Sequence, residues 1–289
     1  MADFDERWRT RVGGAARTVG VIGWPVEESL SPLIHNTAFI ALDLDWVYVP
    51  LPVEPGRLPE AIEGLSALGF AGANVTMPHK TEAADLVADL SEDAFRLRAV
   101  NTLVTTTAGL VGHNTDAPGF ERFLSEDAGF DAADRRTLIF GGGGAARACA
   151  LALARARASE IVVALRDPAK TEELRAAVQG FEATLEVVPF DEAAGREADL
   201  VVNATPVGSL GEELPRPRVT PETLVVDLLY RPGVTPLQIR AKEAGAAAFG
   251  GLGLLLHQAA LSFELWTGQP APLPAMSAAA LAELSENSD

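Results

Sequence analysis

The chain has 289 residues, 48% of them hydrophobic, and a formal net charge of −17 at pH 7. That length exceeds the usual size of one domain, so two domains or one large α/β unit are expected. The negative charge repels nucleic-acid backbones, and no apolar run approaches the roughly 20 residues of a membrane span. We therefore expect a soluble protein that binds small molecules, with neither nucleic acid nor membrane as a partner.

The cellular compartment is indicated by the N-terminal segment and by the cysteine count. The chain opens with mixed charge instead of a basic segment followed by an apolar core, which argues against a secretory signal. The single Cys149 cannot form an internal disulfide and fits a reducing compartment. A cytoplasmic location is predicted. The acidic excess would also suit a salt-rich cytoplasm.

Short apolar runs alternate with helix-like segments, a pattern typical of βαβ units and largely parallel sheets. The first cycle joins a strand at "TVGVIG" to a helix from about Pro32 to Leu42, with Ser31 as its cap. The second runs from "WVYVPL" into "RLPEAIEGLSAL", and the third from "AGANVTM" into "HKTEAADLVADL". The segment "NTLVTTTAGLVGHNTD" predicts two short strands around an Ala-Gly turn.

A second α/β series begins near Ala117 with the helix "PGFERFLSEDA". It contains the strands "TLIF", "EIVVAL", "LEVVPF", "DLVVNA" and "TLVVDLL", and two helices close the chain. The predicted fold class is α/β, with a first α/β unit at 1–116 that has a mostly parallel sheet. A Rossmann-like, doubly wound nucleotide-binding domain is predicted at 117–250. Periodicity alone does not show how the two ends of the chain join.

A glycine loop supports the nucleotide-binding prediction. The run "TLIFGGGGAARACA" sets a G-x-G-x-x-A frame between a strand and a helix. Its first glycine permits a tight turn, its second lets the backbone approach a pyrophosphate, and the helix N-terminus offers N–H groups to the anion. The cofactor-binding loop predicted here consists of Gly141, Gly142, Gly143, Gly144, Ala145 and Ala146.

The end of the following strand bears on the choice between NADP and NAD. Arg166 and Lys170 are cations placed to meet the 2′-phosphate of NADP, whereas Asp167 would favour the ribose hydroxyl of NAD. A carboxylate in that position can also cap the next helix. We therefore favour NADP, with NAD as the alternative.

Four polar clusters lie outside the glycine domain, in "SLSPLIHN", "NVTMPHK", "VNTLV" and "HNTD". Taken singly, each has a structural explanation as a helix cap, a turn or a strand end. Together they offer hydroxyls, carboxamides, one carboxylate and one amine, which suit a small polyhydroxylated substrate with a carboxylate. The four histidines are scattered and neither HExxH nor CxxC occurs, so no metal is expected.

Eight motifs across nearly the whole chain resemble, in order, the shikimate dehydrogenases. They are "GWPVEESLSPLIHN", "GANVTMPHK", "AVNTL", "GHNTDAPG", "GGGGAARA", "NATPVG", "DLLYRPGVTPL" and "GLGLLLHQAALSFELWTG". The resemblance implies reversible, NADPH-dependent reduction of 3-dehydroshikimate to shikimate in aromatic amino-acid biosynthesis. It also implies that the N-terminal α/β unit at 1–116 is the substrate domain and that helices at 251–289 complete it. We expect a monomer or a homodimer.

The resemblance also implies roles for single residues, with Lys80 and Asp116 as the catalytic pair. The substrate-binding residues that it implies are Ser29, Ser31, Asn74, Thr76, Asn101, Tyr230 and Gln258. The further cofactor-binding residues that it implies are Asn203, Thr205, Pro206, Val207, Gly251 and Leu254. A lysine suits the catalytic role because its ammonium can give up a proton, whereas arginine stays charged. His79, its neighbour, is then expected to be structural.

Two alternatives to an NADP-dependent shikimate dehydrogenase stay open. The usual Asn-Arg-Thr at the 2′-phosphate is Leu165, Arg166 and Asp167 here, so a quinate/shikimate dehydrogenase using NAD or NADP is one alternative. Ser31 favours shikimate, since relatives that accept quinate often have threonine there. The other alternative is a non-catalytic relative that senses the metabolite, which would be expected to have lost Lys80 or Asp116.

Overall fold

A computed structural model of the chain describes residues 12–230 and 233–286. The expectations for the first eleven residues, for Arg231 and Pro232 of "DLLYRPGVTPL" and for the last three residues fall outside this part. The described residues form two compact units, 12–115 with 258–286, and 116–257. The sequence predicted domain limits after residues 116 and 250. The helix Leu252–Thr267, which follows the second of these limits, contributes residues to both units.

The helices and strands follow one another in regular alternation. The strands are β1 (Arg17–Gly23), β2 (Trp46–Pro52), β3 (Gly72–Val75), β4 (Asp89–Leu90), β5 (Thr102–Thr106), β6 (Gly109–His113), β7 (Arg136–Phe140), β8 (Glu160–Leu165), β9 (Thr184–Pro189), β10 (Leu200–Asn203), β11 (Leu224–Asp227) and β12 (Ala247–Phe249). The α-helices are α1 (Ser31–Ala41), α2 (Leu58–Ala67), α3 (Lys80–Asp85), α4 (Glu92–Leu97), α5 (Asp116–Arg122), α6 (Gly144–Arg155), α7 (Thr171–Val178), α8 (Pro236–Glu243), α9 (Leu252–Thr267) and α10 (Leu273–Glu286).

The first unit is built on a six-stranded sheet of order β2-β1-β3-β5-β6-β4. β1 is parallel to β2 and β3, and β4 is parallel to β6, while β5 runs antiparallel to both its neighbours. The mostly parallel sheet and the hairpin predicted around the Ala-Gly turn are thus confirmed. Helix α10 packs on α1, and Phe263 of α9 stacks on Phe39 of α1 at 5.3 Å between ring centroids. The C-terminal helices are therefore part of this unit's core.

Two local predictions in this unit are wrong. Ser31 does not cap α1: the cap position is Leu30, and Ser31 is the first helical residue, because Leu30 already has helical backbone angles. The helix predicted over "HKTEAADLVADL" ends at Asp85, because Asp89 and Leu90 pair with β6 as a short strand. Pairing within the sheet here overrides the local helical pattern.

The second unit contains a six-stranded, wholly parallel sheet of order β12-β11-β10-β7-β8-β9. Counted within this unit, the order is 3-2-1-4-5-6, that of doubly wound dinucleotide-binding sheets. β10 and β11 are buried along their whole length, as expected for strands covered on both faces. The strand order reverses between β7 and β10, and Phe140 pairs with Asn203 there. The loops that follow these two strands therefore start side by side, at the position where such sheets bind ligands.

Candidate active site

A buried network of hydrogen bonds around Asn74 occupies the carboxyl end of β3 in the first unit. Its Oδ1 accepts a 2.8 Å bond from the Tyr48 hydroxyl. Its Nδ2 donates to the Asn101 carbonyl at 3.0 Å and lies within the same distance of Ser262 Oγ on α9. Because every polar atom of this carboxamide has a partner, its orientation is set before any ligand binds.

Asn101 is held in the same way. Its Oδ1 accepts the Thr115 backbone N–H at 2.8 Å and the Thr102 hydroxyl at 3.0 Å. Its Nδ2 donates to Thr115 Oγ1 at 2.9 Å and to Gln258 Oε1 at 3.4 Å. The structure thus brings together three of the predicted substrate residues, Asn74, Asn101 and Gln258.

Ser29 and Ser31 lie at the start of α1, close to this network. The Ser31 backbone N–H donates to Ser29 Oγ at 3.3 Å, and the Ser31 side chain hydrogen-bonds to Tyr48. Burial raises the pKa of the Tyr48 phenol, and the bond with Ser31 partly offsets this. Tyr48 therefore stays protonated and connects Ser31 to Asn74.

Four members of this network were not predicted from the sequence: Tyr48, Thr102, Thr115 and Ser262. An aromatic or hydroxyl side chain on a strand or an apolar helix has the pattern of ordinary core. The only available signal was that Thr102 and Thr115 adjoin the predicted residues Asn101 and Asp116.

The segment after β3 carries Thr76, His79 and Lys80. The Thr76 backbone N–H donates to the Ile22 carbonyl at 2.8 Å, which extends the pairing with β1. His79 is buried, and its Nε2 donates to the Val53 carbonyl at 2.7 Å, in keeping with a structural role. Lys80 is half-buried at the first position of α3, and its carbonyl accepts the N–H of Val100, the residue before Asn101, at 2.8 Å.

Asp116 is the first residue of α5 and the first residue of the second unit. It is buried, with 8% of its surface exposed. Burial raises the pKa of the Cys149 thiol on α6, and the negative charge of Asp116 raises it further. Cys149 is therefore a neutral core residue at ordinary pH.

The glycine loop after β7 is shaped for an anion. Gly141 has φ +115°, and a Cβ at this position would lie 2.8 Å from the Ala204 carbonyl oxygen, so only glycine fits. Gly143 and Gly144 face open space, since no atom lies within 4 Å of where a Cβ would be. Gly143 is the cap of the twelve-residue α6 and provides no side-chain cap for its first N–H groups. The loop thus fits a dinucleotide pyrophosphate.

Asn203, at the end of β10, organises the neighbouring loop. Its Oδ1 accepts the backbone N–H and the hydroxyl of Thr205 at 3.0 and 2.7 Å, and its Nδ2 donates to the Val207 carbonyl at 2.9 Å. A further 2.9 Å bond joins Nδ2 to Asp227, whose pKa is raised by burial. Asn203 is completely buried, whereas Pro206 in the same loop is exposed. Asn203 therefore shapes the loop that carries the other predicted cofactor residues.

Three residues predicted to contact the adenosine ribose of the cofactor, or its 2′-phosphate, follow the end of β8: Arg166, Asp167 and Lys170. The Arg166 guanidinium lies 4.6 Å above the Phe190 ring. Asp167 Oδ1 accepts the Ala169 backbone N–H at 3.0 Å and caps the short 3₁₀ helix, as the sequence suggested. Lys170 lies against the glycine loop, because a Cβ at Gly142 would come within 3.0 Å of Lys170 Cβ.

A cavity of about 760 Å³ opens beside Arg166. Leu165 and Pro189, the last residues of β8 and β9, supply apolar walls together with Phe190 and Leu214. Its size and its mixture of apolar and charged lining suit the adenosine end of a dinucleotide.

The last three predicted residues also belong to the second unit. Gly251 is buried, donates to the Leu229 carbonyl at 3.1 Å and has no room for a Cβ against Leu228. Leu254 is half-buried on α9, and Tyr230 is half-buried after β11. Tyr230 is the one predicted substrate residue outside the first unit.

Among residues 12–230 and 233–286, no group of three or more His, Cys, Asp or Glu side chains could hold a metal ion. No helix in the same residues combines the length and apolar character needed to cross a membrane.

A Rossmann sheet with an open glycine loop, joined in one chain to an α/β unit with a polar site, defines a dinucleotide-dependent oxidoreductase. Known family models match three stretches of the chain. Residues 21–103 match the shikimate dehydrogenase substrate binding domain, and residues 251–281 match the shikimate 5′-dehydrogenase C-terminal domain. Residues 136–230 match the NADP oxidoreductase, coenzyme F420-dependent, model.

Whole-chain relatives support the same family. A protein of Desulforamulus reducens named shikimate dehydrogenase (NADP(+)) is 41% identical, over 92% of this chain and 95% of the relative. The structure of Listeria monocytogenes shikimate 5-dehydrogenase in complex with shikimate and NAD has a TM-score of 0.86 and 34% identity, covering 92% of this chain and 96% of that one. The ligand-free 5-ketofructose reductase of a Gluconobacter species has a TM-score of 0.84 and 29% identity, covering 94% and 100%. The chain belongs to the shikimate dehydrogenase family.

Proposed function

We propose that this chain catalyses the reversible, NADPH-dependent reduction of 3-dehydroshikimate to shikimate, the shikimate pathway step that leads towards the aromatic amino acids. The observation that carries the proposal is the cluster of Asn74, Asn101 and Gln258 in the first unit, in which internal hydrogen bonds orient the buried carboxamides of Asn74 and Asn101. The D. reducens relative, named shikimate dehydrogenase (NADP(+)), supports both the substrate and the cofactor.

The substrate ring is bound by hydroxyls and carboxamides in this proposal. Ser29 and Ser31 donate to the substrate carboxylate with help from Tyr230. The ring hydroxyls are held by Thr76, Asn74, Asn101 and Gln258. Ligand binding then costs little reorganisation, because the internal bonds of Asn74 and Asn101 already fix their side chains.

Lys80 and Asp116 handle the proton. NADPH, when bound, supplies the hydride. The Lys80 ammonium donates a proton to the oxygen that gains negative charge during reduction, and accepts it back in the reverse direction. Asp116 shares the hydrogen bond to the same hydroxyl and helps to hold it for the proton transfer.

NADP is the proposed cofactor, held by the glycine loop, by the loop from Asn203 to Val207 and by contacts near Gly251 and Leu254. Arg166 and Lys170 face the 2′-phosphate. Asp167 would oppose that phosphate, but one of its oxygens is already used in the helix cap. That oxygen is less available to accept a hydrogen bond from the ribose hydroxyl of NAD. We therefore favour NADP over NAD.

A spectrophotometric assay of nicotinamide reduction tests the function. The purified chain is offered shikimate or quinate with NADP or NAD in all four combinations, and 5-ketofructose with NADPH as a further arm. We expect shikimate with NADP to give the highest kcat/KM. Turnover of quinate or 5-ketofructose above that of shikimate would contradict the proposed substrate. Binding of shikimate without any turnover would identify a sensor instead of an enzyme.

Further parts of the proposal concern the protein in the cell. We propose a cytoplasmic enzyme that acts as a monomer or homodimer, in line with the single buried cysteine. Light scattering of the purified chain at several concentrations measures the oligomeric state directly.

A further inference from the structure

Next to the glycine loop, a glutamate on α7 joins two cations. Glu173 Oε1 lies 3.3 Å from Lys170 Nζ, and its Oε2 pairs with the Arg147 guanidinium. The Arg147 side chain is only 6% exposed, whereas those of Glu173 and Lys170 are 39% and 44% exposed. One carboxylate thus bridges a buried cation and a partly exposed one.

The position of this carboxylate is set by the buried arginine. A buried guanidinium needs an opposite charge, because an uncompensated charge in the interior is costly. Arg147 lies in the first turn of α6, and its backbone N–H donates to the Gly143 carbonyl at 3.0 Å. Glu173 is therefore anchored to the helix that begins at the glycine loop.

Lys170 also lies against the glycine loop. Its Cβ would lie 3.0 Å from a Cβ placed at Gly142, so its side chain starts directly against the loop. In the proposed complex this ammonium faces the 2′-phosphate of NADP. Glu173 competes for the same ammonium, so that Lys170 is less available to the phosphate while the ion pair is formed.

We propose that Glu173 is a specificity-determining residue that lowers the preference of this chain for a 2′-phosphorylated cofactor by engaging Lys170. The inference rests on the proposed function, since it concerns the adenylate end of the cofactor proposed there. The pyrophosphate is common to NAD and NADP, so any effect of Glu173 on it cancels in a comparison of the two.

Calorimetric titration of the full chain with 2′,5′-ADP and with 5′-AMP isolates the 2′-phosphate without any catalysis. Glu173→Gln removes the charge but keeps an oxygen that can accept a bond from Arg147. We expect the ratio of the AMP Kd to the 2′,5′-ADP Kd to rise about three- to fivefold, the scale of a partly exposed ion pair. Glu172→Gln is the matched control: Glu172 is the preceding residue, is 83% exposed and pairs with Arg175 at 3.6 Å. Its ratio should equal that of the wild type.

The Lys170→Met variant tests whether Glu173 changes the ratio of the two Kd values through Lys170. In Lys170→Met the ratio should fall, and adding Glu173→Gln should then change it little, because coupled residues are not additive. If Glu173→Gln does not fold, as judged by its melting temperature, Glu173→Asp shortens the reach to Lys170 and should raise the ratio by less.

The outcomes separate the two proposals. An unchanged or lower ratio in Glu173→Gln, with both nucleotides still bound, overturns this inference and leaves the proposed function standing. An equal rise in Glu172→Gln, or a full rise in the Lys170→Met background, also overturns it. If neither nucleotide binds the wild type, the proposed cofactor site fails and the inference fails with it.

Discussion

The Tyr48 hydroxyl donates a 2.8 Å hydrogen bond to Asn74 Oδ1 across two strands that are not neighbours in the sheet. Tyr48 lies on β2 and Asn74 on β3, with β1 between them. The phenol also hydrogen-bonds to Ser31 and stacks on His35, with 4.5 Å between ring centroids. Tyr48 is therefore a positioning residue for two proposed substrate contacts.

Replacing Tyr48 by Phe should weaken substrate binding. The change keeps the ring and its stacking but leaves Asn74 Oδ1 without its donor. We expect the free energy of unfolding to fall by about 1–2 kcal/mol. The KM for shikimate should rise several-fold while the KM for NADP stays constant. Steady-state kinetics and urea unfolding measure both, and an unchanged shikimate KM would refute the positioning role.

Replacing Lys80 by Ala should lower kcat by about 100-fold or more, because a general acid–base group typically contributes this much. Substrate binding should change less. Lys242→Ala is the matched control, since Lys242 is exposed on α8. Near-normal turnover of the Lys80 variant would exclude the assignment.

Replacing Asp116 by Asn tests whether the pair acts as one unit. We expect a loss comparable to that of Lys80→Ala, and the double variant should be little slower than either single variant. Pre-steady-state measurement of hydride transfer in the three variants checks this. A double variant that loses the product of both factors would argue against a shared proton step.

His35 should make the protein less stable in acid. Burial lowers the pKa of this histidine to about 3, and both its ring nitrogens lack a hydrogen-bond partner within the described residues. Below about pH 6.5 His35 is protonated in the unfolded chain, whereas in the folded protein it becomes protonated only near pH 3. Stability from this group is therefore complete above that window and is lost as the pH falls through it, by about 1.4 kcal/mol per pH unit.

Replacing His35 by Phe should remove this dependence and keep the stacking on Tyr48. Urea unfolding of wild type and variant at about pH 7 and about pH 5 measures the difference. Groups common to both proteins, such as His113, whose pKa burial also lowers, cancel in that difference. Parallel pH profiles of the two proteins would contradict the prediction.

Replacing Asn203 by Ala should disturb the cofactor loop. Removing a buried side chain with four hydrogen bonds should cost about 2–3 kcal/mol of stability, since its partners lose their bonds. The Kd for NADP should rise as the loop loses its shape. Asn114→Ala is the control: Asn114 is also buried, donates to the Ala99 carbonyl at 2.9 Å and lies in the first unit. A loss of stability is expected there without a change in NADP affinity.

Local patterns in the sequence were sufficient for the Rossmann sheet and its loop. Parallel strands buried on both faces appear as continuous apolar runs, and the positive φ of Gly141 requires the glycine that the motif displays. The cap formed by Asp167 could also be foreseen, because capping depends on neighbouring residues. These features are encoded within a few residues of the chain.

The tertiary structure alone decided which polar side chains meet. The bonds from Tyr48 to Asn74 and from Asn74 to Ser262 join residues 26 and 188 positions apart, which no local pattern reports. Asp89 and Leu90 were predicted to be helical but form a strand, because they pair with β6, and the local sequence does not reveal that pairing. The sequence by itself determined the class of fold, the glycine loop and the residues suited to the chemistry. Packing decided how Asn74 and Asn101 are oriented, because long-range hydrogen bonds form only when distant elements are brought together.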